Sequence, residues 1–147
     1  MLYCKSMISL TTTIPATPAQ VYRAWLDGKT HAAMTGAKAT GSAKVGSRFT
    51  AWDGYILGRN IKLVPSKQIV QAWRTSEFAD DDPDSTLTIT LAKTKTGTKL
   101  SLKHIGTPKS QEASYRSGWQ EHYFEPMQEY FSTPLYPIAS RQKDRVY

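Results

Sequence analysis

Apolar and polar residues take turns along the second half of this chain. In STLTITLAKTK (85–95) Leu87, Ile89 and Leu91 alternate with Thr88 and Thr90, and in TKLSLKHI (98–105) Leu100 and Leu102 alternate with Ser101 and Lys103. A period of two predicts strands with one buried and one wet face, as in an antiparallel sheet. KQIVQAWRT (67–75) predicts the strand before them, after a turn at Pro65-Ser66. The acidic loop FADDDPD separates it from the next strand, and Thr96-Gly97 turns the chain between the last two. RFTAW, Asp53-Gly54 and YILGRNIKLV predict a hairpin with a two-residue turn. The β-branched, partly alternating MISLTTTI (7–14) predicts a first strand that Pro15 ends.

Two segments follow a helical period instead. Thr17 offers an N-cap and Pro18 a first helical position, with Val21, Tyr22 and Trp25 on one face and Asp27-Gly28 as the stop. A second short helix is expected over Thr30 to Met34. SGWQEHYFEPMQEYF (117–131) predicts a longer one. At about 100° per residue, Trp119, Tyr123, Phe124, Met127, Tyr130 and Phe131 share one arc, while His122, Glu121, Glu125, Gln128 and Glu129 lie opposite. His122 is thus expected in solvent. Pro126 cannot donate to the carbonyl of His122, which predicts a bend that lets the helix follow a curved sheet. The expected order is strand, two short helices, about five antiparallel strands and a long helix, an α+β fold. The aromatic arc covers the apolar face of the sheet.

Three polar residues interrupt the inner faces. Gln120 falls within the aromatic arc, His104 continues the Leu100, Leu102 face, and Arg59 continues the Leu57, Ile61, Leu63 face. Burying such groups without partners costs about 1–3 kcal/mol, so together they suggest a pocket with a few hydrogen-bonding handles. Other readings stay open. His104 can be a satisfied histidine at the rim, and Gly58 can mark a bulge that turns Arg59 outward. Gln120 can cap a backbone group, and Trp25, Trp73 and Trp119 can be plain core.

Composition narrows the function classes. A chain of 147 residues with 39% apolar and 21% charged residues fits one ordinary globular domain. The charge of +7 raises nucleic acid as a partner, but the bases are scattered apart from Lys93, Lys95, Lys99 and Lys103, and no nucleic-acid-binding motif accompanies them. Neither a membrane-length apolar run nor a signal-peptide core occurs, so no membrane insertion and a cytoplasmic setting are expected. Cys4 stands alone and forms no intrachain disulfide. His31, His104 and His122 lie far apart, and the Asp80–Asp82 run lacks the spacing of a calcium loop. There is no phosphate-binding glycine motif, and no carboxylate falls on an inner face. No metal, no cofactor and no catalytic residue are assigned, and a non-enzymatic domain is expected. A monomer and a dimer both agree with the sequence.

VYRAWLDGKTHAAMTGA, VGSRFTAWDGYILGRNIKLVPSKQIVQAWR and SGWQEHYFEPMQEYF together resemble the activator of heat-shock-protein-90 ATPase homologue family, most closely the C-terminal domain of the eukaryotic activators. The resemblance covers about residues 8–131, leaving a short extension at 1–7 and a tail at 132–147. It implies a START-like helix-grip fold, in which a curved sheet of about six strands grips the long C-terminal helix around a cavity. Relatives in that superfamily bind lipids, sterols or polyketides, and some are cyclases or hydrolases. It therefore implies a small apolar molecule as ligand, with Trp25, Met34, Phe49, Arg59, Trp73, His104, Trp119, Gln120, Tyr123 and Met127 as candidate cavity residues. The activators themselves are co-chaperones, which implies the Hsp90 chaperone as the alternative partner. They carry an additional N-terminal domain that does most of the docking, and the few residues before the first predicted strand are not expected to supply it.

Overall fold

The computed structural model describes residues 6–132. Cys4 and the tail from residue 133 lie outside the described residues. Six strands form one antiparallel sheet: β1 (Met7–Ile14), β2 (Arg48–Ala51), β3 (Ile56–Val64), β4 (Gln68–Thr75), β5 (Ser85–Lys93) and β6 (Thr98–Ile105). Their spatial order is β1-β6-β5-β4-β3-β2, so the first strand crosses to pair with the last and the others follow as a meander. Two short helices, α1 (Pro18–Leu26) and α2 (Gly28–Thr35), fill the crossover between β1 and β2. A 3₁₀ turn at Lys109–Gln111 leads into the C-terminal helix, which runs as α3 (Glu112–Trp119), a π-helical segment (Gln120–Phe124) and α4 (Glu125–Ser132). The expected α+β helix-grip architecture is what the chain adopts.

Local chemistry places each element. Thr17 accepts from the Gln20 N–H while the Gln20 side chain accepts from the Thr17 N–H, closing a capping box at the start of α1. Asp27 ends α1 with its N–H and begins α2 with its carboxylate, which accepts from Thr30. The alternating strands bury one face: Ile69, Trp73, Leu87, Ile89, Leu100, Leu102 and His104 point under the helices, and Thr86, Thr90, Lys99 and Lys103 stay wet. Along β1, two outward carbonyls are met by the C-terminal helix: Gln128 Nε2 donates to Thr13 O (3.2 Å) and Arg116 donates to Met7 O (3.4 Å).

β3 has the opposite phase to the one expected. Ile56 and Asn60 are buried, whereas Leu57 and Ile61 are 44% and 45% exposed and Arg59 is exposed on the outer face. The register shifts between Asn60 and Lys62, and this bulge returns Leu63 to the core side. So the phase changes at Ile61, not at Gly58. Asn60 is drawn inward by its amide: Nδ2 donates to the carbonyls of Ser42 and Lys44, and Oδ1 accepts from Gln71, whose own Oε1 accepts from Trp25. This buried chain ties the loop before β2 to α1 through the sheet, and every amide in it is partnered.

Gly58 faces inward because nothing larger fits. A Cβ there would lie 2.2 Å from Ala72 O and 2.4 Å from Phe49 Cζ. Backbone and an aromatic ring held across the strand cannot both retreat, so Gly58→Ala is expected to lower stability by about 2 kcal/mol or more. A urea midpoint unchanged from wild type would show that the Phe49 ring does not lie over β3.

Candidate functional site

Ten residues were expected around a cavity between the sheet and the C-terminal helix. Trp73, Trp119 and Tyr123 do line a cleft there. Trp25, Met34, His104 and Met127 are buried core, and Phe49 packs half-buried against that core. Arg59 is on the outer face, and Gln120 is exposed, its amide 3.5 Å from Glu125. The cause for Gln120 is the π segment. It breaks the even 100° progression of the wheel, so α3 buries Tyr115 and Trp119 while the next turns bury the adjacent pair Tyr123 and Phe124. The segment sits where Pro126 removes a donor: the Glu125 N–H bonds back to Gln120 O.

The cleft has a volume of about 340 Å³ and lies between the β2–β3 turn, the start of β3, the end of β4 and the first half of the C-terminal helix. Trp52, Tyr55, Trp73, Tyr115, Trp119 and Tyr123 supply six aromatic walls, and Ile56, Gly118 and His122 complete it. Trp52 and Tyr55 come from the turn, which spans four residues because Ala51 pairs with Ile56. Trp52 and Asp53 have φ of 53° and 58°, left-handed values that bulky side chains rarely adopt. That conformation aims the Trp52 ring across the mouth, edge-on to His122 at 5.4 Å and to Tyr123 at 6.4 Å. His122 is exposed, as expected, yet it stands at this mouth.

Behind the walls, polar groups are paired. Trp119 Nε1 donates to His104 Nδ1 (3.1 Å), which fixes the proton of His104 on Nε2, where it meets Ser85 Oγ (2.8 Å); Ser85 donates in turn to Trp73 O. Burial lowers the pKa of His104 to about 3. His31 Nδ1 donates to Trp25 O and Nε2 accepts from the Tyr123 hydroxyl. Its pKa is lowered, chiefly by burial, and burial raises that of Tyr123. At one end Tyr55 donates to the exposed Glu77 (2.6 Å), and Tyr115 bonds Gln111 and Thr75. Burial raises the pKa of both Tyr55 and Tyr115. His104, with both nitrogens engaged, is a structural histidine, and the arrangement is suited to holding apolar surface. Among the described residues no cluster of His, Cys, Asp and Glu could hold a metal ion, and no helix is long and apolar enough to cross a membrane.

Trp52, Tyr55, Tyr115, Gly118 and His122 were not among the expected lining residues. Tyr115 precedes the stretch 117–131 by less than a turn, and its one-turn spacing from Trp119 was the signal available. Gly118 is unusual in that an added Cβ would meet only His122 Cδ2, at 3.8 Å. Gly118→Ala is therefore expected to raise stability by about 1 kcal/mol through helix propensity. A loss of that size in thermal or urea unfolding would show the site to be tightly packed instead.

Residues 15–132 match the model of the family described as Activator of Hsp90 ATPase homolog 1-like protein. The human activator of 90 kDa heat shock protein ATPase homolog 1 is 34% identical over 128 residues, which are 87% of this chain and 37% of the human protein. This chain thus spans little more than a third of that relative. An HSP90 activator from Plasmodium falciparum superposes with a TM-score of 0.77 at 25% identity, covering 87% of this chain and 97% of that one. An Aha1 from Colwellia psychrerythraea, described as a dimer, shares the fold with a TM-score of 0.70 at 16% identity, covering 83% and 93%. The aromatic cleft is thus built on the helix-grip scaffold of the Activator of Hsp90 ATPase homolog 1-like family, to which this chain belongs.

Proposed function

We propose that this domain is a non-enzymatic binding module whose cleft takes a small apolar molecule. The observation that carries this is a space of about 340 Å³ walled by six aromatic side chains, with no Asp, Glu, Lys or Arg among its lining residues. An apolar recess with a few polar handles is the usual form of a small-molecule site. Thermal shift and native mass spectrometry against a panel of lipids and aromatic compounds test it. A ligand at about a hundred times its Kd adds roughly 2.7 kcal/mol, a rise in Tm of several degrees. No shift and no adduct across the panel would end the proposal.

The second reading is that the domain binds the Hsp90 chaperone and stimulates its ATPase. Its support is the 34% identity to the human activator, and the exposed Glu121 and Glu125 offer a charged helix face for a basic partner surface. Chaperone turnover with and without this protein tests it. Unchanged turnover together with no binding in a pull-down or by calorimetry would count against it.

A further inference from the structure

We propose that the cleft selects an uncharged, planar aromatic molecule of about two fused rings, and that Gly118 sets its size; this rests on the ligand-binding reading above.

Gly118 is the first ground. Glycine inside a helix is disfavoured because it has the most backbone freedom to lose. Where it occurs in a packed interior it commonly permits a close approach, as Gly58 does for Phe49. At Gly118 nothing is tight: an added Cβ would meet only the His122 ring, whose Cδ2 lies at an ordinary contact distance of 3.8 Å. The protein's own packing gives no reason for the missing side chain. The cleft does, because a side chain at 118 would project into it.

The walls define the chemistry. Trp73 and Tyr115 meet at 86° with centroids 5.2 Å apart, and Trp119 lies 5.0 Å from Tyr123 at 48°. Faces and edges are therefore both presented to the cleft, the two contacts that an aromatic guest makes better than an alkyl chain. A carboxylate or ammonium would lose water here without finding an opposite charge. For size, an apolar cavity of about 150 Å³ holds one benzene, so the cleft has room for about two rings.

Quinoline, naphthalene, 2-naphthoate and 1-decanol at neutral pH separate these features. Binding is followed by tryptophan fluorescence and by the indole N–H signals in proton–nitrogen NMR. Quinoline and naphthalene are both expected to saturate and to shift the indole signals of Trp73 and Trp119, which line the cleft. Each should bind about tenfold more tightly than 1-decanol or 2-naphthoate. Gly118→Leu is expected to abolish that binding while leaving Tm at or above wild type. If 1-decanol or another aliphatic lipid binds as well as quinoline, the aromatic selectivity is overturned and the binding module survives. Undiminished quinoline binding by Gly118→Leu would remove Gly118 from the site. If neither these probes nor the broader panel binds, the underlying reading fails and this one with it.

Discussion

Trp119→Ala is expected to remove about 4 kcal/mol or more of folding stability, read as a shift of the urea midpoint at constant slope. Trp119 is buried and its ring lies within 5.0–6.1 Å of the centroids of Tyr123, Trp73, His104 and Trp25. Deleting a core Trp side chain costs about 3–5 kcal/mol. The indole N–H is also the donor to His104 Nδ1, so truncation leaves a buried acceptor without its partner, a further cost of about 1–3 kcal/mol. Water entering from the adjoining cleft offsets part of this. Since a domain is stable by only about 5–15 kcal/mol, the variant sits near the edge of folding. Trp119→Phe keeps much of the packing and loses only the donor, so its cost should be about half as large. A loss below about 1 kcal/mol for the alanine variant would show that the helix does not seal the core at this position.

Acid is the second strong perturbation. His104 is fully buried and its pKa falls from an ordinary 6.5 to about 3, because burial disfavours the charged ring. His31 moves in the same direction for the same leading reason. Between about pH 6.5 and pH 3 the unfolded chain therefore binds a proton on His104 that the native protein does not. Stability rises with pH wherever the unfolded state holds more protons, so it must fall as the solution is acidified through this window. For His104 the slope is about 1.4 kcal/mol per pH unit, a loss of a few kcal/mol by pH 4, and His31 acts in the same direction. Above pH 6.5 this contribution is flat. Urea titrations at several pH values give the slope, and ring nitrogen shifts should show His104 neutral with its proton on Nε2 at pH 5. A His104 ring that titrates near 6.5 in the folded protein would refute the account.

The strand order and the covering helix could be anticipated because they follow from period and punctuation. Thr17 and Pro18 start α1, and the Leu-Thr alternation of β5 survives unchanged in its burial. What escaped sequence reasoning is a set of one-residue phase errors. Asp53-Gly54 suggested a tight hairpin, but left-handed Trp52 and Asp53 widen the turn to four residues and carry two aromatic rings to the cleft. In β3 the leucine and isoleucine side chains look like the inner face, yet satisfying the Asn60 amide and fitting Phe49 over Gly58 decide the matter. Gln120 was misplaced because a wheel assumes a constant advance, while Pro126 is accommodated by a π turn rather than by a bend alone. In each case a long-range contact outweighed the local pattern. The open space beside Gly118 has no signature in a sequence at all.

The contacts that Gln128 and Arg116 make with β1 give the terminal helix a second role. MISLTTTI has no charge and no proline, the usual guards against strand-to-strand recruitment. Here the guard is the helix, which occupies the carbonyls of Thr13 and Met7. Any fluctuation that peels the helix away uncovers a strand ready to pair with its counterpart in another molecule. Self-association under mildly destabilising conditions is thus expected to begin at β1, before the sheet itself comes apart.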